Sequence, residues 1–475
     1  MRQPAAFVLR LTVVSGAALL MLGLSGCATF SSKTEALRRA YAIADYPAAD
    51  SLTNGLIAGD AGVSVDVVSR TRGVDPAIDP QKNNTLVYLL DKGMIRLTLD
   101  DPASAVRLLR VSRDTLDANF RKDTADLLKE VAAMLTDDTV RTYSGADYEH
   151  IMVRAMLTFS DLVLRGGDAY AYAAQIGAKQ EDIIGSPLGE VTRNGVTKGY
   201  RPREKYRRIA LGAYLQGVIR EDALEMDEAA RAYERAIAFA EGPTTLFSEA
   251  LERVTGKRSP EPGQGALHVF YFGGIGPHLG ETSTHPTELA LRLAGITAAL
   301  ATGKIALATQ APVPVPVVKV TDPAVPPLTV TAAGRTGATE KILDVNRIAL
   351  EQLDANMPWI IARAVLRRSA KGAFSVVVEN AVEHGTNNEG LGQLASVLMG
   401  LATTATENAD TRSWETLPAT IQSLRLGLPA GEQTVRIGRY ESRIRISPGR
   451  NSYVLVFQTS VGALPVILID HYSRI

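Results

Sequence analysis

The sequence predicts an α+β protein: an array of helical hairpins over the first half, then a mixed α/β region ending in a small antiparallel sheet. Three observations carry this. From Thr34 to about Glu241, apolar residues recur at three- and four-residue spacing, the period of one helix face. From Thr255 to Gly265 the chain turns to Gly, Pro and polar residues, which interrupt either regular element. From Ile421 onward, short Val-, Ile- and Leu-rich runs alternate with Pro-Ala-Gly and Pro-Gly turns, the mark of short strands. The expected units are a helical domain at 34–245 and an α/β domain at 264–475.

Within the helical half, four turns each follow an apolar helix and open another. They are Asp-Tyr-Pro-Ala-Ala at 45–49, Asp-Pro-Ala-Ser-Ala at 101–105, Gly-Gly-Asp-Ala-Tyr at 166–170 and Met-Asp-Glu-Ala-Ala at 226–230. These turns resemble those of tetratricopeptide repeats, in which a small residue early in the second helix lets it pack on the first. Ala49, Ala105 and Ala229 would be those residues. Strict repeats recur about every 34 residues; here the intervals are longer and unequal. The hairpins are therefore read as degenerate, with insertions such as Gly185 to Pro202.

In the second half, Ala266–Phe272 reads as a strand, followed by a loop with Gly273, Gly274, Gly276 and Pro277. Pro312 to Pro327 alternates proline with valine, which suits extended edge segments. Lys341 to Asn356 reads as a helix. Asn356 is then expected to cap a second helix through Trp359 to Lys371, with Pro358 in its first turn. Phe374 to Thr406 reads as helical, and within it Leu391 to Ala405 as a buried helix, too short to cross a bilayer. The last strands fall at Ile421–Leu428, Gln433–Ile437, Ser452–Phe457 and Leu464–Ile469.

The N-terminus carries an address. Arg2 and Arg10 precede an apolar run from Leu11 to Leu24, and Leu24-Ser25-Gly26-Cys27 follows. Basic start, apolar middle and small-residue end make a signal peptide over 1–26. The last four residues resemble the bacterial lipobox, which implies cleavage before Cys27, a diacylglyceryl thioether on Cys27 and a fatty acyl group (palmitate) on the new amino terminus. Cys27 is the single cysteine of the chain, so no disulfide forms within one molecule. Ala28 stands where aspartate would retain such a protein in the inner membrane. The resemblance therefore implies an outer-membrane lipoprotein facing the periplasm, with residues 27–33 as a lipidated tether.

Lys plus Arg and Asp plus Glu both number 51. A balanced surface offers no electrostatic footprint for nucleic acid and no polybasic patch for anionic lipid.

A further set of segments resembles a family of uncharacterised bacterial lipoproteins with tetratricopeptide-like N-terminal halves. The most specific is Ala409-Asp-Thr-Arg-Ser-Trp-Glu-Thr-Leu-Pro418, followed by Ile421 and Leu428-Pro-Ala-Gly431. Others are Asn83 to Met94, Tyr143 to Tyr148, where Tyr148 replaces a frequent Phe, and the stretch through Gly276, Pro277 and Glu281. The resemblance implies no assigned activity, and its context is cell-envelope assembly. Read physically, Asp410 pairs with or caps Arg412, and Trp414 covers the seam between the last helix and the sheet.

Few residues suggest chemistry. His278, Glu281 and His285 are the only metal-ligand candidates, without the HExxH spacing that fixes two histidines on one helix face. Gly273-Gly-Ile-Gly276 follows a strand, but Pro277 and His278 stand where a phosphate-binding loop opens a helix. The bland reading is a turn needing positive φ and close backbone approach. Arg363, Arg367 and Lys371 form an i, i+4, i+8 stripe beside Arg368, read as a solvated face or a site for an acidic partner or anionic glycan. The expected function is a non-catalytic, membrane-anchored scaffold that binds a protein partner in the envelope, with no cofactor. The alternative is an enzyme acting on peptidoglycan or glycan, with a site near 273–285.

Overall fold

The computed structural model describes residues 29–125, 142–186, 190–193, 196–199, 202–242, 245–256, 263–302, 311–321, 325–384 and 408–475. Side chains at 123–125, 190–199, 202, 296–302 and 370–384 lie outside that description, as does Cys27.

The first half is an array of helices: α1 (Glu35–Ala42), α2 (Tyr46–Ala61), α3 (Thr85–Thr98), α4 (Pro102–Ala125), α5 (Asp147–Leu164), α6 (Ala169–Ile184), α7 (Leu211–Asp222), α8 (Met226–Phe239) and α9 (Thr245–Thr255). Each packs on the next along the chain. The four turns expected from sequence join α1 to α2, α3 to α4, α5 to α6 and α7 to α8. All four share one device. A residue one or two positions past the first helix is left-handed: Ala44 at φ 63°, Asp100 at 57°, Arg165 at 56° and Leu224 at 61°. The next backbone N–H closes back on the helix, from Asp45 to Ala40 at 2.9 Å, Asp101 to Arg96 at 2.9 Å, Gly166 to Asp161 at 3.2 Å and Glu225 to Arg220 at 2.9 Å. This ring satisfies carbonyls that a helix end leaves open. Ala49, Ala105 and Ala229 follow at equivalent positions and are fully buried. In the third turn Gly166 and Gly167 lengthen the connection.

A side chain in the left-handed region costs about 1–2 kcal/mol, and glycine's extra freedom in the unfolded chain costs about 0.5–1 kcal/mol. Leu224 is 59% exposed and gains little from its side chain. Leu224→Gly is expected to stabilise the protein by about 0.5 kcal/mol, read as a higher urea midpoint. Arg165 has a reason to tolerate the same conformation. Its guanidinium donates to Asp470 at 2.9 Å, pairs with Asp222 at 3.3 Å and lies 4.6 Å from the centre of the Tyr453 ring.

The second half holds strands β1 (Gln264–Gly273), β2 (His278–Thr284), β3 (Val313–Lys319), β4 (Thr329–Ala332), β5 (Arg335–Ala338), β6 (Glu340–Asp344), β7 (Thr420–Pro429), β8 (Gly431–Ile437), β9 (Tyr440–Ile446), β10 (Asn451–Gln458) and β11 (Val466–Ile469), with helices α10 (Glu288–Thr302) and α11 (Val345–His384). A five-stranded sheet has the order β11-β10-β1-β7-β6, and a four-stranded antiparallel sheet the order β9-β8-β4-β5. The larger sheet is mixed: β1 pairs in parallel with β10, Ala266 opposite Asn451 through to Gly273 opposite Gln458. One face of β1 (Leu267, Val269, Tyr271) packs with Leu426, Val454 and Val456 against Val330, Val435 and Ile444 of the smaller sheet. The other face packs on the helices, with Phe159 of α5 about 5 Å from both Phe270 and Phe272. A strand buried on both faces reads as an unbroken apolar run, which is why β1 stood out in the sequence. The main apolar core thus runs from the helical array into the larger sheet.

Several elements differ from expectation, and strands β2, β4 and β5 and helix α10 have no counterpart in the sequence reading. Strand β9 was not expected: four of its seven residues are charged or polar, although Ile444 and Ile446 alternate onto the buried face. Lys341 to Asp344 is strand β6, and residues 345–384 form one helix rather than two. Pro358 removes one backbone bond, to the carbonyl of Asp354, a residue exposed to solvent. Asn356 does not cap; its side chain donates to the Gln352 carbonyl at 2.9 Å and to the Tyr206 hydroxyl at 2.6 Å. The Pro-Val alternation behaves as expected, as β3 pairs with β2 in a two-stranded sheet among the described residues and buries Val313 and Val315.

The start of the body also shifts. Phe30 is buried and stacks on Tyr88 at 5.5 Å between ring centres. The Ser31 N–H donates to Thr411 Oγ1 at 3.3 Å, and residues 30–33 form a helical turn. The chain is therefore packed from Phe30, so the polar tether expected to reach residue 33 is shorter. The run Leu391 to Ala405 lies outside the described residues, among which no helix is long and apolar enough to cross a membrane.

Candidate functional site

Residues 409–417 form the seam between helices and sheets. Their backbone runs outside any helix or strand, so its polar groups need other partners. Buried carboxylates supply them. Asp91 of α3 accepts from the Thr416 N–H at 3.1 Å and from its hydroxyl at 2.9 Å. Glu149 of α5 accepts from the Trp414 N–H at 2.7 Å, the Ala146 N–H at 2.8 Å and the Tyr143 hydroxyl. Glu415 pairs with Arg38 of α1, and Asp410 pairs with Arg412 at 2.6 Å. Burial pushes the carboxyls of Asp91, Glu149 and Glu415 above the usual range, and for Asp91 the neighbouring Glu415 adds to it. Trp414 is fully buried, its indole N–H donating to Thr416 Oγ1 at 3.1 Å. The Asp410–Arg412 pairing and the packing role of Trp414 follow the sequence reading. The seam itself joins the hairpin array, through α3 and α5, rather than the last helix, to the sheet.

The metal candidates are not gathered. His278 opens β2 and His285 lies just past its end, a separation of about 23 Å at about 3.3 Å per strand residue. Glu281 accepts from the Ala409 N–H at 2.6 Å, a seam contact. His278 is half-buried, and burial, with Arg38 and Lys319 nearby, lowers its imidazole to about 4. The glycine loop is held by backbone: Gly274 has φ 73°, and Gly276 donates to the Leu417 carbonyl at 2.7 Å. A Cβ on Gly276 would lie 2.7 Å from that oxygen, the close approach expected of it.

A cleft of about 230 Å³ opens beside the seam. One wall is a stripe of α11: Gln352, Asn356, Trp359 and Arg363. The turn from Thr142 to Tyr148 faces it, and Leu279, Pro316 and Val318 of the β2–β3 pair supply apolar surface. Arg203 and Arg412 also line it, each neutralised. Arg203 pairs with Asp147 at 2.6 Å, and Arg412 with Asp410. Arg363 has no acidic partner among the described residues, so the lining carries one uncompensated positive charge. Four polar atoms of the stripe are shielded from solvent and have no partner among the described residues: Gln352 Oε1, Asn356 Oδ1, Trp359 Nε1 and Arg363 Nε. Most buried polar atoms find a partner; these four stand in a row along one wall of the cleft. The orientation of Asn356 is fixed by its two donations, which leaves Oδ1 as the open acceptor.

The arginine stripe of the sequence reading is thus no solvated face. Arg363 enters the cleft half-buried, Arg367 is 7% exposed, and Arg368 donates to the Pro312 carbonyl. The reason is packing: Trp359, Ile361, Ala362 and Val365 meet Ala290, Leu293, Val313 and Val315 of α10 and β3. Lys371 is on the same helix, its side chain outside the described residues. Gln352, Asn356 and Trp359 were not among the site residues expected from sequence. Their 4-3-4 spacing with Arg363 was visible, but the assumed helix break at Pro358 split the stripe. Comparison with protein-family models, curated proteins and solved structures finds no match to this chain.

Proposed function

We propose that this chain is an outer-membrane lipoprotein, lipidated on Cys27 and facing the periplasm. In this reading it is a non-catalytic scaffold whose tetratricopeptide-like hairpins and cleft hold a protein partner in cell-envelope assembly. Repeated helical hairpins commonly present such surfaces. The observation that carries the binding role is the cleft: partly apolar, with Arg363 uncompensated and shielded polar atoms unpartnered. Concave sites with a few convergent polar groups are where ligands bind.

A photo-cross-linking residue in place of Leu353, in the cleft wall, is expected to trap one specific partner in cells. The same residue in place of Thr434, exposed on the smaller sheet, is expected not to. Equal products from both positions, or none from Leu353, would remove the scaffold reading. Cys27→Ser is expected to release the protein from membranes and to abolish labelling by radioactive palmitate. A labelled variant that stays with the membrane would contradict the anchor.

A further inference from the structure

We infer that the cleft takes an extended peptide segment carrying a carboxylate, with that carboxylate at Arg363 and the peptide amides toward Gln352 and Asn356. The inference rests on the scaffold reading and specifies what the partner presents.

The stripe has a polarity. Its acceptors, Gln352 Oε1 and Asn356 Oδ1, lie toward the helix start, and its donors, Trp359 Nε1 and Arg363 Nε, lie further along. At about 1.5 Å rise per helical residue, the two pairs are centred about 10 Å apart. That is roughly three residues of extended chain at about 3.3 Å each. A ligand matching both ends needs an anionic acceptor at one end and N–H donors about 10 Å away. A peptide with a carboxylate has both, and the guanidinium fork suits a carboxylate in particular. The charge agrees, because Arg203 and Arg412 are each answered by an aspartate and Arg363 is not.

Size and surface point the same way. The 230 Å³ of space leaves room for a short stretch of chain and not for a folded domain. Leu279, Pro316, Val318, Leu353 and Ile360 give apolar walls that would cover peptide side chains. The same walls would strip water from the hydroxyls of an anionic glycan without replacing their hydrogen bonds. Trp359, 97% buried with its indole N–H unpartnered, is the donor with most to gain from an occupant.

The test uses the mature chain and its two tryptophans, one in the cleft and one in the seam. Three randomised pools of N-acetylated hexapeptides are titrated by tryptophan fluorescence and calorimetry. The first has free C-terminal carboxylates and no Asp or Glu. The second is its C-terminal amide. The third is amidated with one internal Glu. Binding of the first pool identifies a chain terminus, and binding of the third a side-chain carboxylate; either supports the inference. The neutral amide pool is expected not to bind, and Trp359→Phe is expected to remove the fluorescence change. Arg363→Gln is expected to weaken binding about tenfold or more, with Arg363→Lys retaining part of it. The inference is overturned if the neutral pool binds equally well, if Arg363→Gln leaves affinity unchanged, or if no pool binds. It is also overturned if an oligo-glucuronate binds in place of the peptides. The cellular cross-link at Leu353 separates the two failures. A partner trapped in wild type while the peptide pools fail leaves the scaffold and removes this inference. Loss of the wild-type adduct removes the scaffold whatever the peptides do.

Discussion

Trp414→Ala is expected to lower the free energy of unfolding by about 3–5 kcal/mol, the range for removing a large buried aromatic side chain. Trp414 has no exposed surface and sits where helices and sheet share one core. The loss is more than a void. Thr416 Oγ1 accepts from the indole and donates to Asp91, and the Trp414 N–H holds Glu149. A cavity there lets water reach carboxyls that burial keeps above their usual range. Trp414→Phe keeps most of the volume and loses only the indole donation, so its cost is expected to be about 1–2 kcal/mol. Urea unfolding followed by far-ultraviolet circular dichroism measures both. A similar, small loss for alanine and phenylalanine would show that the seam does not bear on stability. Glu149→Gln should also destabilise: an amide nitrogen would then face either the Ala146 N–H or the Trp414 N–H, a donor against a donor.

Acid sensitivity is the second large effect. His268 of β1 is buried against the helices, and burial, with Arg425 adding to it, lowers its imidazole to about 3. An unfolded histidine takes up a proton near 6.5. A base whose folded value is depressed is neutral in the fold while the unfolded chain charges. Stability therefore falls as the pH drops from about 6.5 toward 3, by up to about 1.4 kcal/mol per pH unit. Glu221 works in the same direction at lower pH. Burial alone would raise it, but Arg253 and Arg425 outweigh that and hold it at about 2, so its contribution is present above about 4.5 and lost as pH falls toward 2. The raised carboxyls of Asp91 and Glu415 have the opposite sign, contributing most where they stay protonated and less as pH rises through their folded values. His268→Gln isolates the histidine from these. Urea midpoints at pH 6.5, 5.5 and 4.5 are expected to fall more steeply for wild type than for His268→Gln. Parallel slopes would show that His268 titrates alike in both states.

What was legible in the sequence follows the range of the interactions. The four turns were readable because a Schellman-type helix end is local, set within six residues from Ala40 to Asp45 and its equivalents. Strand β1 was readable because burial on both faces removes polar residues from it. The pairing of β1 with β10 was not, since a parallel partner some 185 residues away leaves no local trace. The seam motif was visible as residues, but its partners Asp91 and Glu149 come from helices far earlier in the chain and are ordinary acids in isolation. The cleft was missed for a more specific reason. Pro358 reads as a helix start, yet a proline in a long helix costs less where its lost bond faces water, and the stripe from Gln352 to Arg363 depends on that continuity.

The packing of Phe30 sets a length. With the lipid that we propose on Cys27, the linkage from Cys27 to Phe30 spans at most about 11 Å fully extended. That is a mooring rather than a leash. On that proposal the folded body would not sweep a volume above the bilayer as a long flexible linker allows; it would ride near the headgroups, with the end of the fold that carries Phe30 turned to them. A partner of the cleft would then have to come into the first protein-thick layer over the membrane.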